Sequence, residues 1–255
     1  MKPGRFAPLM LACLCGTLAA PVARAAVCAA QSGEQRAVLL ELYTSEGCDS
    51  CPPADRRLSG LKGVAEYAGR LVPLAFHVDY WDRLGWTDRF ASPLHTRRQQ
   101  AMAELARSRL VYTPQFLRNG RDWRSGGSPL DGLRDSTAAA RIVLRIEAVG
   151  AAGLAVSGEV VAARPGLEAW LALYENNLES VVRAGENAGK TLRHDYVVRR
   201  LVGPLAPDRE GRVALHRHIA LDADWKRGDL GVAVFVQDKA SGEIVQALQR
   251  HACPA

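Results

Sequence analysis

The stretch SEGCDSCPPAD (residues 45–55) places Cys48 and Cys51 two residues apart and follows them with two prolines. Three chemistries use that spacing: a thiol–disulfide redox pair, half of a soft-metal site, or a disulfide that staples a loop. The prolines suit the first turn of a helix, where backbone N–H groups have no intrahelical partner and a proline gives nothing up. At a helix N-terminus, free N–H groups and the helix dipole stabilise a thiolate on the first cysteine, and the thiolate is the species that attacks a disulfide. Cys48 therefore reads as an exposed nucleophile and Cys51 as the resolving thiol. Asp49 sets a negative charge beside Cys48, which disfavours its thiolate and points to a reductase or isomerase rather than a strong oxidant.

The elements that must hold this pair follow from the apolar pattern. AVLLELY (residues 37–43) is a continuous apolar run, hence a strand buried on both faces. Ala54, Leu58 and Leu61 at i, i+4 and i+7 give the helix after the prolines an inner face. LVPLAFHV (71–78) is a second strand. Parallel strands joined by a helix bring their carboxyl ends to one edge, so His77, Tyr80 and Trp81 are expected around the cysteines. Ser92-Pro93 caps a long helix through HTRRQQAMAELARSR, and TPQFLRNGRDW (113–123) reads as strand, Asn-Gly turn and strand. SPLDGLRDSTAAARI (128–142) reads as a further capped helix. Glu41 is the odd residue of its apolar strand, and a buried carboxylate needs a partner or a purpose. From about Ile142, short apolar runs separated by turn signals predict an all-β, sandwich-like domain. In TLRHDYVVRR (191–200) the recurring Arg and His read as the wet face of a strand. The expected organisation is an α/β domain, a mixed sheet flanked by helices, over residues 26–140, and an all-β domain over 141–255.

The amino end reads as a processing signal: Lys2 and Arg5, an apolar run from Ala7 to Val22, then Ala23-Arg24-Ala25, with cleavage expected after Ala25. That run is short for a membrane span. With 48% apolar and 24% charged residues, the mature chain is expected to be a soluble globule that is exported to the periplasm or secreted and is not membrane-embedded. Lys2, Arg5 and Arg24 leave with the signal and no acid does, so a formal charge of +6 becomes +3. The remaining basic residues are dispersed, without the clustered footprint of a nucleic-acid binder. Cys13 and Cys15 leave too. The four that remain, Cys28, Cys48, Cys51 and Cys253, are expected to pair in an oxidising compartment. Chain ends often lie close together, so a Cys28–Cys253 clip is expected, leaving Cys48 with Cys51.

Strand, Cys-X-X-Cys at a helix start, strand, helix, and Thr-Pro leading into a hairpin: this order resembles the thioredoxin superfamily. More closely, ELYTSEGCDSCPPAD, FHVDYWDRLGW and GENAGKTLRHDYVVR resemble a family of secreted bacterial thioredoxin-like proteins classed as a domain of unknown function, over nearly the whole mature chain. The resemblance implies a thioredoxin-like fold for residues 26–140. It implies a cis peptide at Thr113-Pro114 that opens a backbone edge to a substrate chain, with Thr113, Pro114, Tyr80 and Trp81 as substrate-binding residues. It also implies an acid in the strand before the cysteines that handles the resolving thiol's proton, a role for which Glu41 is the candidate. Departures from thioredoxin are Asp49-Ser50 in place of Gly-Pro and Gly47 in place of the tryptophan before the first cysteine.

The function expected is an exported thiol–disulfide oxidoreductase with Cys48, Cys51 and Glu41 as catalytic residues. It needs no cofactor, and its partners are protein thiols and disulfides or an electron-donor protein. One alternative is a copper or other soft-metal carrier using Cys48, Cys51 and His77, since two thiolates and an imidazole suit Cu(I). Another is a non-catalytic module in which the β domain binds a partner and the cysteines are structural. Non-reducing peptide mapping of the mature chain is expected to recover Cys28 linked to Cys253 and Cys48 linked to Cys51. A Cys28–Cys48 or Cys51–Cys253 peptide would remove both the clip and the redox pair.

Overall fold

The computed structural model describes residues 27–124, 126–132, 136–150 and 152–252; the expected processing signal and Cys253 lie outside them. Strand β1 (Val27–Gln31) is followed by β2 (Val38–Thr44), helix α1 (Pro52–Ser59), β3 (Leu71–His77), helix α2 (Pro93–Leu105), and the hairpin β4 (Gln115–Arg118) and β5 (Arg121–Asp122). All seven residues of β2 and of β3 are buried. The two run parallel, with Glu41 opposite Leu74 and Thr44 opposite His77, so both end at one edge. Pro52 opens α1, and the Ser92 side chain accepts from the Leu94 N–H to cap α2. β4 pairs antiparallel with β2. Asn119 and Gly120 both take positive φ, 49° and 81°, the backbone that a two-residue hairpin with this twist requires.

Nine strands follow: β6 (Ala140–Val149), β7 (Gly153–Ala162), β8 (Leu167–Glu175), β9 (Leu178–Val181), β10 (Thr191–His194), β11 (Val197–Leu205), β12 (Arg212–Ala220), β13 (Leu230–Asp238) and β14 (Ile244–His251). The expected fold class is overturned here. The described chain is mostly β, with 45% strand, 14% helix and two α-helices, rather than a thioredoxin-like α/β sheet with flanking helices followed by a β domain. One eight-stranded sheet, in the order β14-β13-β8-β11-β3-β2-β4-β5, takes strands from both sides of residue 140, and the amino-terminal β1 joins a four-stranded sheet, β1-β6-β7-β12. The cause is the second edge of β3. It is covered by β11, which runs parallel to it with Val197 opposite Ala75, and the Ala75 N–H donates to the Tyr196 carbonyl at 2.8 Å.

The strands of the second half bury both faces by alternation. On β8, Leu171 and Leu173 join Ile142, Leu144, Leu154 and Val156 in the core between the two sheets, while Ala172 and Tyr174 join Leu39, Leu42 and Phe76 in the other core. The helix expected over residues 128–142 does not form: its described residues are turns and a bridge at Thr137, and β6 begins at Ala140. Ala140, Ile142, Leu144 and Ile146 are buried at a period of two, and that pattern prevails over the Ser-Pro cap signal. Among the described residues no helix is long and apolar enough to cross a membrane.

A buried charge lies where the two halves meet. Arg98 of α2 donates to Glu41 at 2.7 Å and to Gln237 of β13 at 3.1 Å. Its guanidinium lies 4.8 Å from the Phe235 ring centroid and 5.1 Å from that of Trp170, favourable cation–π geometry. Tyr43 donates to the same Glu41 carboxylate at 3.1 Å. Breaking a buried ion pair by removing one partner strands the other charge, at a cost of about 3–5 kcal/mol. Glu41→Gln is therefore expected to destabilise the protein by about that amount, with both halves unfolding in one transition in denaturant. A loss under about 1 kcal/mol, the range of an exposed pair, or a separate transition for the first half would contradict this.

Candidate functional site

The loop after β2 delivers the two cysteines. The Cys48 N–H donates to the Ser45 carbonyl at 3.2 Å, the Cys51 N–H to the Cys48 carbonyl at 3.2 Å, and the Ala54 and Asp55 N–H groups to the Cys51 carbonyl. The chain thus winds through one turn into α1. Cys48 and Cys51 are joined in a disulfide. The expectation of an exposed first cysteine is not met in this form: both cysteines are 0% exposed, although Asp49 and Ser50 between them are exposed. Ser50 Oγ lies 3.4 Å from Cys48 Sγ.

Several expected neighbours do gather here. The Thr113–Pro114 peptide is cis. Trp81 Nε1 donates to Thr113 Oγ1 at 2.7 Å, and a Cβ on Gly47 would sit 3.2 Å from Trp81 Cβ. Trp81 therefore bridges the cysteine loop and the proline turn, and Gly47 leaves room for it. Tyr80 donates to Gln99 on α2 at 3.2 Å. Beside Pro114 opens a cleft of about 470 Å³, lined by Arg57, Leu110, Tyr112, Phe116 and Trp123.

Others go elsewhere. Glu41 shares a face of β2 with Tyr43 and meets α2 through Arg98. The neighbouring side chains of the strand point to the opposite face. His77 is fully buried, with Nδ1 2.6 Å from Asp88 Oδ2. Among the described residues no group of three or more His, Cys, Asp or Glu is arranged to hold a metal ion. Cys28 is buried on β1; its expected partner Cys253 lies outside the described residues.

The sequence reading missed a buried cluster beneath the cysteine loop. His194, read as part of a wet strand face, is 2% exposed. Its Nε2 lies 3.4 Å from Glu46 Oε1 and its Nδ1 3.8 Å from Asp55 Oδ2, and its ring packs edge-on against His77, centroids 4.9 Å apart. Asp88 accepts from the Glu46 N–H at 2.9 Å and Trp86 Nε1 donates to Glu46 at 2.8 Å. Burial works against charge on His77, but Asp88, with Asp55 and Glu46 behind it, raises its pKa above the usual histidine value. Burial likewise works against charge on Asp88 and Glu46, yet His77 lowers the first and His194 the second. Asp55 is raised by burial, which the two histidines offset only in part. Glu46 and Asp55 lay within the quoted SEGCDSCPPAD stretch, and their closeness to the cysteines was the available signal. Nothing local marks His194 as buried.

A second strand of contacts comes from the hairpin β9–β10. Asn187, in its 182–190 loop, is 0% exposed and donates both amide hydrogens into the cysteine loop, to the Glu46 carbonyl at 2.9 Å and the Cys48 carbonyl at 2.8 Å. Glu186 accepts from the Asp49 N–H at 3.1 Å.

A family model described as "Protein of unknown function (DUF1223)" matches residues 39–237. Among solved structures, HBP35 of Porphyromonas gingivalis superposes with a TM-score of 0.64 at 17% identity, over 87% of this chain and 76% of that one. Protein AGR_C_4864 from Agrobacterium tumefaciens superposes with a TM-score of 0.57 at 26% identity, over 88% of this chain and 98% of that one. No curated protein matches the sequence.

The buried histidines give this region a defined response to pH. His95 of α2 directs Nδ1 at the His77 carbonyl, 2.9 Å away, so that nitrogen carries the hydrogen. Burial, only partly offset by that bond, lowers its pKa to about 4. Below about pH 6.5 the unfolded chain takes up a proton that the folded chain refuses, so stability falls as pH drops toward about 4, by up to on the order of 3 kcal/mol. Asp55, raised, opposes this in the same window. The raised His77 acts elsewhere: its contribution is complete below about pH 6.5 and is lost as pH rises through its folded value. Asp88 and Glu46, lowered, contribute above about pH 4 and lose that contribution under stronger acid. His95→Gln is expected to flatten the stability profile between about pH 4.5 and 6.5, as measured by denaturant unfolding against wild type. An unchanged slope would refute the assignment.

Proposed function

Because the chain belongs to the family described as "Protein of unknown function (DUF1223)", which carries no activity with it, we propose from the site itself an exported thiol–disulfide oxidoreductase working through Cys48 and Cys51. The observation that carries this reading is the Cys48–Cys51 disulfide at the start of α1, at the edge where β2 and β3 both end, with cis-Pro114 tied to the same loop through Trp81. The local order of strand, Cys-X-X-Cys, helix and cis-proline resembles that of the thioredoxin superfamily and supports the chemistry. The signal-like first 25 residues support a periplasmic or secreted location, where such a pair would meet protein disulfides.

In the reductive direction a dithiol donor first reduces the Cys48–Cys51 bond. The Cys48 thiolate then attacks one sulfur of a substrate disulfide, forming a mixed disulfide and releasing the other substrate sulfur as a thiolate. Cys51, deprotonated, attacks Cys48, restores the intramolecular disulfide and releases the second substrate sulfur. Two electrons pass from the pair to the substrate, and two protons end on its thiols. Asp49 beside Cys48 favours reduction or isomerisation over strong oxidation. The cleft beside Pro114, with Tyr112, Phe116 and Trp123 in its lining, gives an extended substrate chain a place to lie. The proton of Cys51 falls to Asp55, one helical turn beyond it, whose pKa burial raises so that its carboxylate is a better proton acceptor, and Glu41 is left to its pairing with Arg98. Neither sulfur is open to solvent in the disulfide form, so exchange at Cys48 requires the loop around it to shift.

Cys51→Ser is expected to trap mixed disulfides on Cys48 when the reduced protein meets oxidised glutathione or a misoxidised protein, seen by mass spectrometry. Cys48→Ser should trap none. Trapping by the Cys48→Ser variant instead would reverse the roles, and trapping by neither would sink the reading.

A further inference from the structure

The 182–190 loop reaches the cysteine loop from far along the chain and is braced by its own hydrogen bonds. The Val182 N–H donates to the Lys190 carbonyl at 3.0 Å and the Gly189 N–H to the Val182 carbonyl at 2.9 Å, closing the loop on itself. Lys190 Nζ donates to Asn187 Oδ1 at 2.8 Å. That bond fixes which end of the amide carries the hydrogens, and both of them go to carbonyls of the cysteine loop. A Cβ on Gly185 would sit 3.2 Å from Trp86 Cβ, and Trp86 in turn holds Glu46. Glu186 is exposed, yet its carboxylate takes the Asp49 N–H, the backbone donor directly after Cys48.

We infer that this loop completes the redox centre: Asn187 is a positioning residue that fixes the backbone on both sides of Gly47, and Glu186 is a tuning residue that makes Cys48 a poorer thiolate. The inference rests on the thiol-exchange reading. Its physical basis is independent of Asp49. Amide N–H groups at a helix start stabilise a thiolate by pointing at it. The Asp49 N–H is a donor of the turn that leads into α1, and a carboxylate that captures it withholds it from the thiolate, while its own charge repels the thiolate as well. The other charges at this place are Asp49, which acts in the same sense, the buried Glu46, held by Trp86 and His194, Asp55 in the first turn of α1, which faces His194, and Lys190, which is turned to Asn187. A site built this way holds its electrons weakly and gives them up, because a destabilised thiolate means a less stable reduced form.

The test is the pH midpoint of Cys48 thiolate formation, read by ultraviolet absorbance on dithiothreitol-reduced protein. Glu186→Gln should lower that midpoint by about half a unit at low ionic strength, roughly a threefold gain in thiolate below it, and the shift should shrink toward zero at about 1 M salt because Glu186 is exposed. The melting temperature should barely move, which separates tuning from a merely structural role. Asn187→Ala, which strands two carbonyls, should speed alkylation of reduced Cys48 severalfold. If Glu186→Gln leaves the midpoint where it is at low salt, or raises it, the tuning role is overturned. An alkylation rate unchanged in Asn187→Ala removes the positioning role. Failure of the wild-type pair to exchange with glutathione would instead refute the thiol-exchange reading, since the midpoint is measured without any substrate.

Discussion

The architecture turns on the pairing of β11 with the far edge of β3. A parallel strand such as β3 is buried on both faces and needs partners on both edges. β2 supplies one, and the other comes from the second half of the chain. Once β11 enters there, β8, β13 and β14 follow by antiparallel pairing, and the sheet continues without a break. The hairpin β9–β10, which immediately precedes β11, is thereby laid against α1 and the cysteine loop. His194, Asn187 and Glu186 reach the site for that reason.

The local grammar of the first half was legible because each signal is short-range. The apolar runs of β2 and β3, the prolines of α1, Ser92 ahead of α2 and the Asn119-Gly120 turn depend on neighbours within a few residues, and each stands where it was expected. The stretch 128–142 failed because a cap signal was given more weight than the alternation Ala140, Ile142, Leu144, Ile146, which only becomes decisive when β1 and β7 are present to pair with it. The fold class failed for a similar reason: no local feature of LVPLAFH announces that its open edge will be filled by VVRRLVGPL.

Glu41 and His194 illustrate how far parity and context govern the role of a polar residue. In a strand, a shift of one position moves a side chain from one face to the other. Glu41 falls on the α2 face, where Arg98 meets it, while the face toward α1 is taken by its neighbours. His194 ends a short edge strand of alternating burial and would be wet if α1 and the cysteine loop did not pack over that face. Glu46 and Asp55 convert it into an interior residue. Both outcomes satisfy the rule that a buried ionisable group is kept by partners, and in both cases those partners are distant in sequence.

The continuity of the sheet also bears on how this chain can be handled. A fragment ended near residue 140 would uncover the β3 edge at Ala75, where Val197 pairs with it in the intact protein, on a strand whose seven residues are all buried. An uncovered, flat, apolar strand edge is a template on which further chains add by backbone pairing. Dissection at that point would produce a sticky sheet and not a smaller stable domain, and during synthesis the same edge stays exposed until β11 arrives to cover it.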